Sequence, residues 1–318
     1  MKRKKQMFEF VLTSVFGAII MLLALIPNLG YVTIFPGVSI TLVHIPVLIG
    51  VFILSIRSSL ILGLFFGVSS LIASYMYGVS PFDLAFRNPL IAIIPRVLFA
   101  LGAFYIVKMF KKLFTIKHGK YIMFGLLSVI TIFVTTFGLN SMFKKIIYNS
   151  HDSLVAESIV IENELTKLLD IENPTDEQLL IIEDLKVKQL SLTIEIPREL
   201  NKANAQYNNL RIFIYTIIGV ISLALIILYY FTIIIKNSKN AYIPTALILS
   251  TILHTILVLG TVSIANPRTF NETFGNNNNV ITTIFIFMLI NGFIEAIFAA
   301  LIGTPIAIAM EKRLAEEE

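Results

Sequence analysis

The chain has 318 residues, of which 56% are hydrophobic and only 14% are charged, with a formal net charge of +5. Soluble domains carry about a quarter charged residues, so this composition indicates an integral membrane protein. The absence of cysteine excludes disulfides, thiolate catalysis and cysteine-ligated metal clusters. The four histidines follow no metal-binding spacing, so no metal site is expected.

Long apolar segments recur along the chain and predict an all-α membrane protein, because a helix needs about 20 apolar residues to cross a bilayer. Eight such spans are predicted, at 8–29, 38–56, 58–77, 89–110, 121–141, 210–235, 242–265 and 280–308. The first follows a basic start, as in a signal peptide, but it lacks a small-residue cleavage pattern, so we expect a retained helix.

The basic residues cluster in short segments beside these spans, chiefly at 2–5, 108–120, 236–239 and 312–313. Short loops rich in Lys and Arg stay in the cytoplasm. This rule predicts a multi-pass protein of the cell membrane with both termini cytoplasmic. It places the connections 28–37, 78–88, 142–209 and 266–279 outside.

The connection 142–209 differs from the rest because it is rich in charge, with apolar residues at helical spacing. It predicts an exposed helical hairpin with arms of about 45 Å. Asn173-Pro174 would break the two arms, and Thr175 with Gln178 would form a capping box for the second arm. Pro197 is expected to kink or end that arm. Either an insertion without chemistry or a sensory, partner-binding hairpin fits this pattern.

Motifs for enzymatic chemistry are missing. The chain has no GxxxxGK[ST] phosphate loop, no GxGxxG turn after a strand and no GxSxG nucleophile elbow. We therefore expect neither an enzyme nor a cofactor, but a binding or transport protein whose energy is supplied by another molecule.

Four ionisable residues lie inside the spans, namely His44, Arg96, His254 and Glu295. Each costs roughly 3 kcal/mol in hydrocarbon by insertion scales, so such residues usually face the bundle interior and mark a site. Asn291 shares a helix face with Glu295, four residues away. We predict that these five residues line one cavity that opens outward.

Each of these residues also has a structural interpretation. Pro95 frees a backbone carbonyl one turn earlier, and Arg96 beside it could clamp an anion or pair with Glu295. His44 could bond a neighbouring carbonyl, and Thr251 and Thr255 are candidate local partners of His254.

A separate pattern of small residues four apart favours close helix packing, either internally or against a second membrane protein. It comprises Ser14 and Ala18, and Gly63 and Gly67.

Five stretches, in this order, resemble the membrane S component of energy-coupling factor vitamin transporters, and most of all its pantothenate-type subgroup. They are SITLVHIPVLIG (39–50), LILGLFFGVSSLIA (60–73), FRNPLIAIIPRVLFALGAF (86–104), LHTILVLG (253–260) and NGFIEAIFAALIGTPI (291–306). The resemblance implies a six-helix bundle formed by 8–115 and 241–310. The segment 116–240, with two further spans and the hairpin, is then an insertion.

The resemblance also implies a function and partners. It implies capture of a water-soluble vitamin on the outer side, with a transmembrane coupling subunit and two cytoplasmic ATPases driving release. Small residues of the first helix would meet the coupling subunit, which points to Ser14 and Ala18. The ligand would lie among the loop 31–37, Asn88 and the buried polar residues. Pantothenate is the favoured vitamin, and riboflavin or a pyridoxine-type vitamin is the alternative within the family. A membrane sensor that uses the outer hairpin and a solitary ion-coupled carrier are alternatives of other classes.

Overall fold

The computed structural model describes residues 2–35, 38–171, 175–236, 240–274 and 280–317, which are predominantly helical. Two short strands, β1 (Tyr31–Phe35) and β2 (Val38–Thr41), follow the first helix. The helices are α1 (Lys2–Leu25), α2 (His44–Ile53), α3 (Ile56–Tyr77), α4 (Pro81–Ala85), α5 (Pro89–Thr115), α6 (Gly119–Val134), α7 (Asn140–Leu169), α8 (Asp176–Tyr229), α9 (Tyr242–Ala265), α10 (Pro267–Phe274), α11 (Val280–Phe298) and α12 (Thr304–Glu317). Three π-helical turns, Thr135–Leu139, Tyr230–Ile235 and Ala299–Gly303, continue α6, α8 and α11.

Within the described residues, seven helical stretches are long and apolar enough to cross a membrane. They are Gln6–Leu25, Ile56–Tyr77, Pro89–Thr115, Gly119–Leu169, Asp176–Ile235, Tyr242–Ala265 and Asn291–Arg313. Many of their apolar side chains are exposed, such as Phe10 at 72%, as expected of side chains that face lipid. The chain is therefore a multi-pass helical membrane protein by length and composition.

The prediction of one helical span over 38–56 is wrong. Its first residues form β2, and α2 has only 10 residues. Such a helix is about 15 Å long, half of the roughly 30 Å hydrocarbon core of a bilayer. The second of the eight predicted spans is therefore not a helix long enough to cross the membrane.

The antiparallel pair of β1 and β2 also departs from the all-α prediction. Tyr31 pairs with Thr41 and Phe35 with Val38, with an irregularity between Thr33 and Phe35. The sequence carries a signal for it, since two β-branched runs flank Pro36-Gly37, a dipeptide typical of turns. Hydropathy concealed this signal, because the second run merges with the apolar residues of α2.

The core of the bundle is built around α5, which packs against α3 on one side and α9 on the other. Two glycines of α3 allow the close approach to α5. A Cβ atom at Gly63 would lie 2.7 Å from the Ala100 Cβ, and one at Gly67 would lie 2.7 Å from the Ile93 Cα. Phe66 and Phe99 are fully buried between these helices. This packing brings polar residues of α5 and α9 into the interior.

Residues 139–221 form a compact unit of their own, and residues 1–138 with 222–318 form the other. In the smaller unit α7 and α8 run antiparallel. Tyr148 donates to the Asn204 Oδ1 at 2.6 Å, and Lys188 pairs with Glu157 at 2.7 Å. The charged connection predicted as two helical arms is thus a pair of helices, whereas the wider insertion 116–240 stays a prediction.

Two features of α8 were predicted from sequence. The capping box is confirmed, because the Thr175 N–H donates to the Gln178 Oε1 at 2.8 Å and the Gln178 N–H donates to the Thr175 Oγ1 at 3.3 Å. Pro197 does not end the arm, since α8 continues through it to Tyr229. The Asn173-Pro174 break lies outside the described residues.

Candidate ligand-binding site

Arg96 owes its position to the proline before it. Pro95 lies inside α5 and has no N–H, so the Ile91 carbonyl loses its usual helical donor. The Arg96 guanidinium takes that place, with its Nη1 donating to the Ile91 oxygen at 2.8 Å. The freed carbonyl that the sequence predicted is therefore present, and it fixes the arginine side chain along its own helix.

The guanidinium lies in aromatic surroundings. Arg96 is 4% exposed, and its Cζ lies 4.5 Å from the Phe86 ring centroid and 5.6 Å from that of Phe66. These rings contribute cation–π attraction. Among the described residues, its Nε has no hydrogen-bond partner and no carboxylate lies within 4 Å of it. The predicted internal salt bridge from Arg96 to Glu295 is therefore not formed.

Glu295 of α11 has other partners. Its Oε1 accepts from the backbone N–H of Thr41 at 2.7 Å, which ties the end of β2 to α11. Its Oε2 accepts from the Thr255 hydroxyl of α9 at 3.5 Å. Thr255 thus serves Glu295, and its predicted role as a partner of His254 is wrong. The carboxylate is 4% exposed and joins three elements of the bundle.

The two buried histidines stack face to face, with ring centroids 5.5 Å apart and planes 9° from parallel. The His44 Nε2 lies 3.2 Å from the Thr251 Oγ1 on α9, and the ring also interacts with the backbone of the neighbouring Thr41. The His254 ring also packs on Phe66 and Phe99, at 5.3 and 4.9 Å. Neither nitrogen of His254 has a partner within the described part of the chain.

His44, His254 and Glu295 each offer a ligand atom within 4.8 Å of the others. Two imidazoles and a carboxylate are a donor set that divalent transition metals accept. The Arg96 cation nevertheless lies against the Phe66 ring that His254 also contacts, so a second positive charge would meet repulsion in a medium of low dielectric constant. The positive charge of Arg96 instead favours the binding of an anion.

Two polar residues complete the cluster. Asn291 lies one turn before Glu295 on α11, and its buried Oδ1 has no partner in the described chain. Tyr31 of β1 is also close to Arg96. Burial raises the pKa of the Tyr31 phenol above its usual value, partly offset by the Arg96 charge, so the phenol stays protonated near neutral pH. Tyr31 lies within the loop 31–37 to which the resemblance pointed, whereas Thr41 was not predicted because the strands were not.

The remaining predicted residues have other roles. Asn88 is exposed, and its Oδ1 accepts from the Leu90 N–H at 3.0 Å, which caps α5. Gly63 and Gly67 pack against α5, so internal packing accounts for them and their predicted docking role is wrong. Ser14 and Ala18 are exposed on α1 and stay candidates for a docking face.

No family model matches the chain. A comparison with curated proteins finds a partial likeness to the pantothenate transporter PanT of Leuconostoc mesenteroides subsp. mesenteroides, with 36% identity over 94 residues. The matched segment is 29% of this chain and 46% of that protein, so the chain spans a little under half the length of the relative.

Proposed function

We propose that this chain is the substrate-capture subunit of an ATP-driven energy-coupling factor importer for a water-soluble vitamin, with pantothenate as the favoured substrate. The helical membrane fold, the buried polar cluster and the partial likeness to a protein named as a pantothenate transporter support the proposal.

Arg96 carries the proposal. A buried guanidinium without a carboxylate partner is costly, because desolvation of an ion costs several kcal/mol that no counter-charge returns. The described residues provide Arg96 with one backbone carbonyl and two aromatic rings. A bound anion would supply the missing counter-charge. The site therefore fits an anionic solute better than a neutral or cationic one.

The other unpaired groups favour a ligand that has both donors and acceptors. Pantothenate has a carboxylate, an amide and hydroxyl groups. Its carboxylate would meet Arg96, while the Asn291 Oδ1 would accept from a hydroxyl or the amide N–H. His254 can donate from one ring nitrogen and accept at the other. These pairs would satisfy the buried groups that the described chain leaves without partners.

The proposed energy source and partner subunits are those implied by the family that the sequence resembles. We propose a transmembrane coupling subunit and two cytoplasmic ATPases as partners, with both termini cytoplasmic and the α7–α8 pair outside. The exposed Ser14 and Ala18 of α1 offer a small-residue face for close contact with the coupling subunit.

Mass spectrometry of the ligands that co-purify with the chain tests the substrate. We expect pantothenate in near-stoichiometric amount from cells supplied with it, and none from the Arg96→Ala variant. Recovery of a flavin or a pyridoxine-type vitamin would replace pantothenate while keeping the class of transporter. Recovery of no vitamin at all from the folded chain would overturn the proposal.

The stacked histidines and Glu295 favour one other function, a solitary ion-coupled carrier, since buried His and Glu residues form proton pathways in transporters. Uptake by liposomes that contain this chain alone, without ATP, would establish that function. A membrane sensor makes a different prediction, in which deletion of 142–209 abolishes function and Arg96→Ala is silent. The importer predicts the opposite result, in which Arg96→Ala abolishes function and deletion of 142–209 does not.

A further inference from the structure

A groove lies at one end of the α7–α8 pair, with a volume of about 870 Å³. Its lining combines two basic residues with two tyrosines and comprises Lys144, Tyr207, Arg211, Ile212, Tyr215 and Thr216. Tyr207, Arg211 and Tyr215 are spaced four apart on α8, so they share one helix face. Lys144 of α7 contributes from across the groove, with its Nζ 5.1 Å from the Tyr207 ring centroid.

The two cations of the groove have no anionic partner among the described residues, in contrast to the two lysines nearest to them in sequence, Lys145 and Lys202. Lys145 pairs with Asp152 at 3.2 Å, and Lys202 pairs with Glu199 at 3.3 Å. Lys144 has only the aromatic face of Tyr207, and Arg211 makes no ion pair in the described part of the chain. The groove therefore concentrates unpaired positive charge, although the connection 142–209 as a whole carries more acidic than basic residues.

The groove coincides with the point where both helices change from polar to apolar. Residues 202–209 of α8 are mostly polar, whereas those from Leu210 onward are mostly apolar. Ile212 and Phe213 are 81% and 60% exposed, which is expected where side chains face lipid. On α7, Lys144 follows the apolar span predicted at 121–141. Tyrosines beside basic residues are typical of the membrane–water interface.

We propose that this groove binds the headgroup of an anionic phospholipid, with Lys144 and Arg211 contacting the phosphate. The Arg211 guanidinium can donate two parallel hydrogen bonds to phosphate oxygens, and Lys144 acts as a point charge. The Thr216 Oγ1 donates to the Ile212 carbonyl at 2.9 Å and can still accept from a glycerol hydroxyl, while the Ile212 side chain would face the acyl chain. The site lies in the α7–α8 unit and does not rest on the proposed transport function.

Native mass spectrometry of the detergent-purified full chain, titrated with phosphatidylglycerol or phosphatidylcholine, tests this site. The double variant Lys144→Gln/Arg211→Gln should weaken phosphatidylglycerol binding about 25-fold, about fivefold for each cation, and leave phosphatidylcholine binding unchanged. The matched control is Lys145→Gln/Lys202→Gln, which removes the same charge from the same region but from residues that are already ion-paired. Circular dichroism verifies that both variants keep their helices.

Three results would overturn the proposal. Equal losses in the two double variants would show attraction by overall charge and no specific site. Unchanged phosphatidylglycerol binding in Lys144→Gln/Arg211→Gln would show that these residues do not hold the lipid. Displacement of phosphatidylglycerol by inorganic phosphate at comparable concentration would assign the groove to a free anion and not to a lipid.

Discussion

The helical bundle and the α7–α8 pair use charged residues in opposite ways. In the bundle Arg96 and Glu295 are each 4% exposed and bonded to backbone groups. In the α7–α8 pair charges are numerous and exposed, and several pair with each other, as Lys188 does with Glu157. Burying a charge costs desolvation free energy, so a buried charge is often retained for a function, whereas an exposed charge costs little. Charge is therefore informative about the site only where it is buried.

Matched arginine substitutions in the two regions should give the largest difference. Arg96→Ala removes the buried cation proposed to meet the ligand carboxylate, and truncation of one partner in such a pair costs about 2–5 kcal/mol. We expect pantothenate affinity, measured by calorimetry, to fall by a factor of about 30 or more. Arg198→Ala removes an exposed arginine of α8 and should leave affinity unchanged.

Two further results decide whether charge or folding explains that loss. Arg96→Ala also leaves the Ile91 carbonyl without its donor, so thermal unfolding must be measured beside affinity. Arg96→Lys keeps the charge without the planar fork, and we expect an affinity between those of the wild type and Arg96→Ala. Wild-type affinity in folded Arg96→Ala would refute the anion-binding role.

Glycines extend the comparison from charge to packing. In the bundle, a Cβ at Gly63 would lie 2.7 Å from the Ala100 Cβ and 2.8 Å from the Arg96 backbone oxygen, whereas one at Gly219 of α8 would meet nothing within 4 Å. We expect Gly63→Ala to destabilise the protein by about 1–3 kcal/mol through overpacking. Gly219→Ala should stabilise it by up to about 1 kcal/mol through helix propensity.

Thermal unfolding in detergent measures both glycine variants. Because the two substitutions add the same methyl group to a helix, their difference isolates the space around each glycine. Equal effects in both would contradict the close contact of α3 with α5. A loss of ligand affinity in Gly63→Ala alone would further show that the spacing of these helices positions Arg96.

The sequence predicted the elements that depend on long periodic patterns. The apolar spans, the two charged arms and the capping box of Thr175 and Gln178 needed only local information. The strands were missed because β2 continues directly into the apolar α2. The partners of the buried residues were also missed, because Thr41 with Glu295 and His44 with Thr251 are far apart in sequence. Such pairs follow from tertiary packing, which one sequence does not reveal.

The smallest effect is expected at the pair of Lys188 and Glu157, whose side chains are 51% and 41% exposed. In water, the attraction of such a pair is largely offset by the entropy lost in holding two long side chains, and salt screens the remainder. Lys188→Met should therefore leave thermal unfolding unchanged within error at physiological salt. A clear loss of stability that persists at high salt would contradict this expectation, because it would show that water does not reach the pair. Charges shielded from water would then occur in the α7–α8 pair as well as in the bundle.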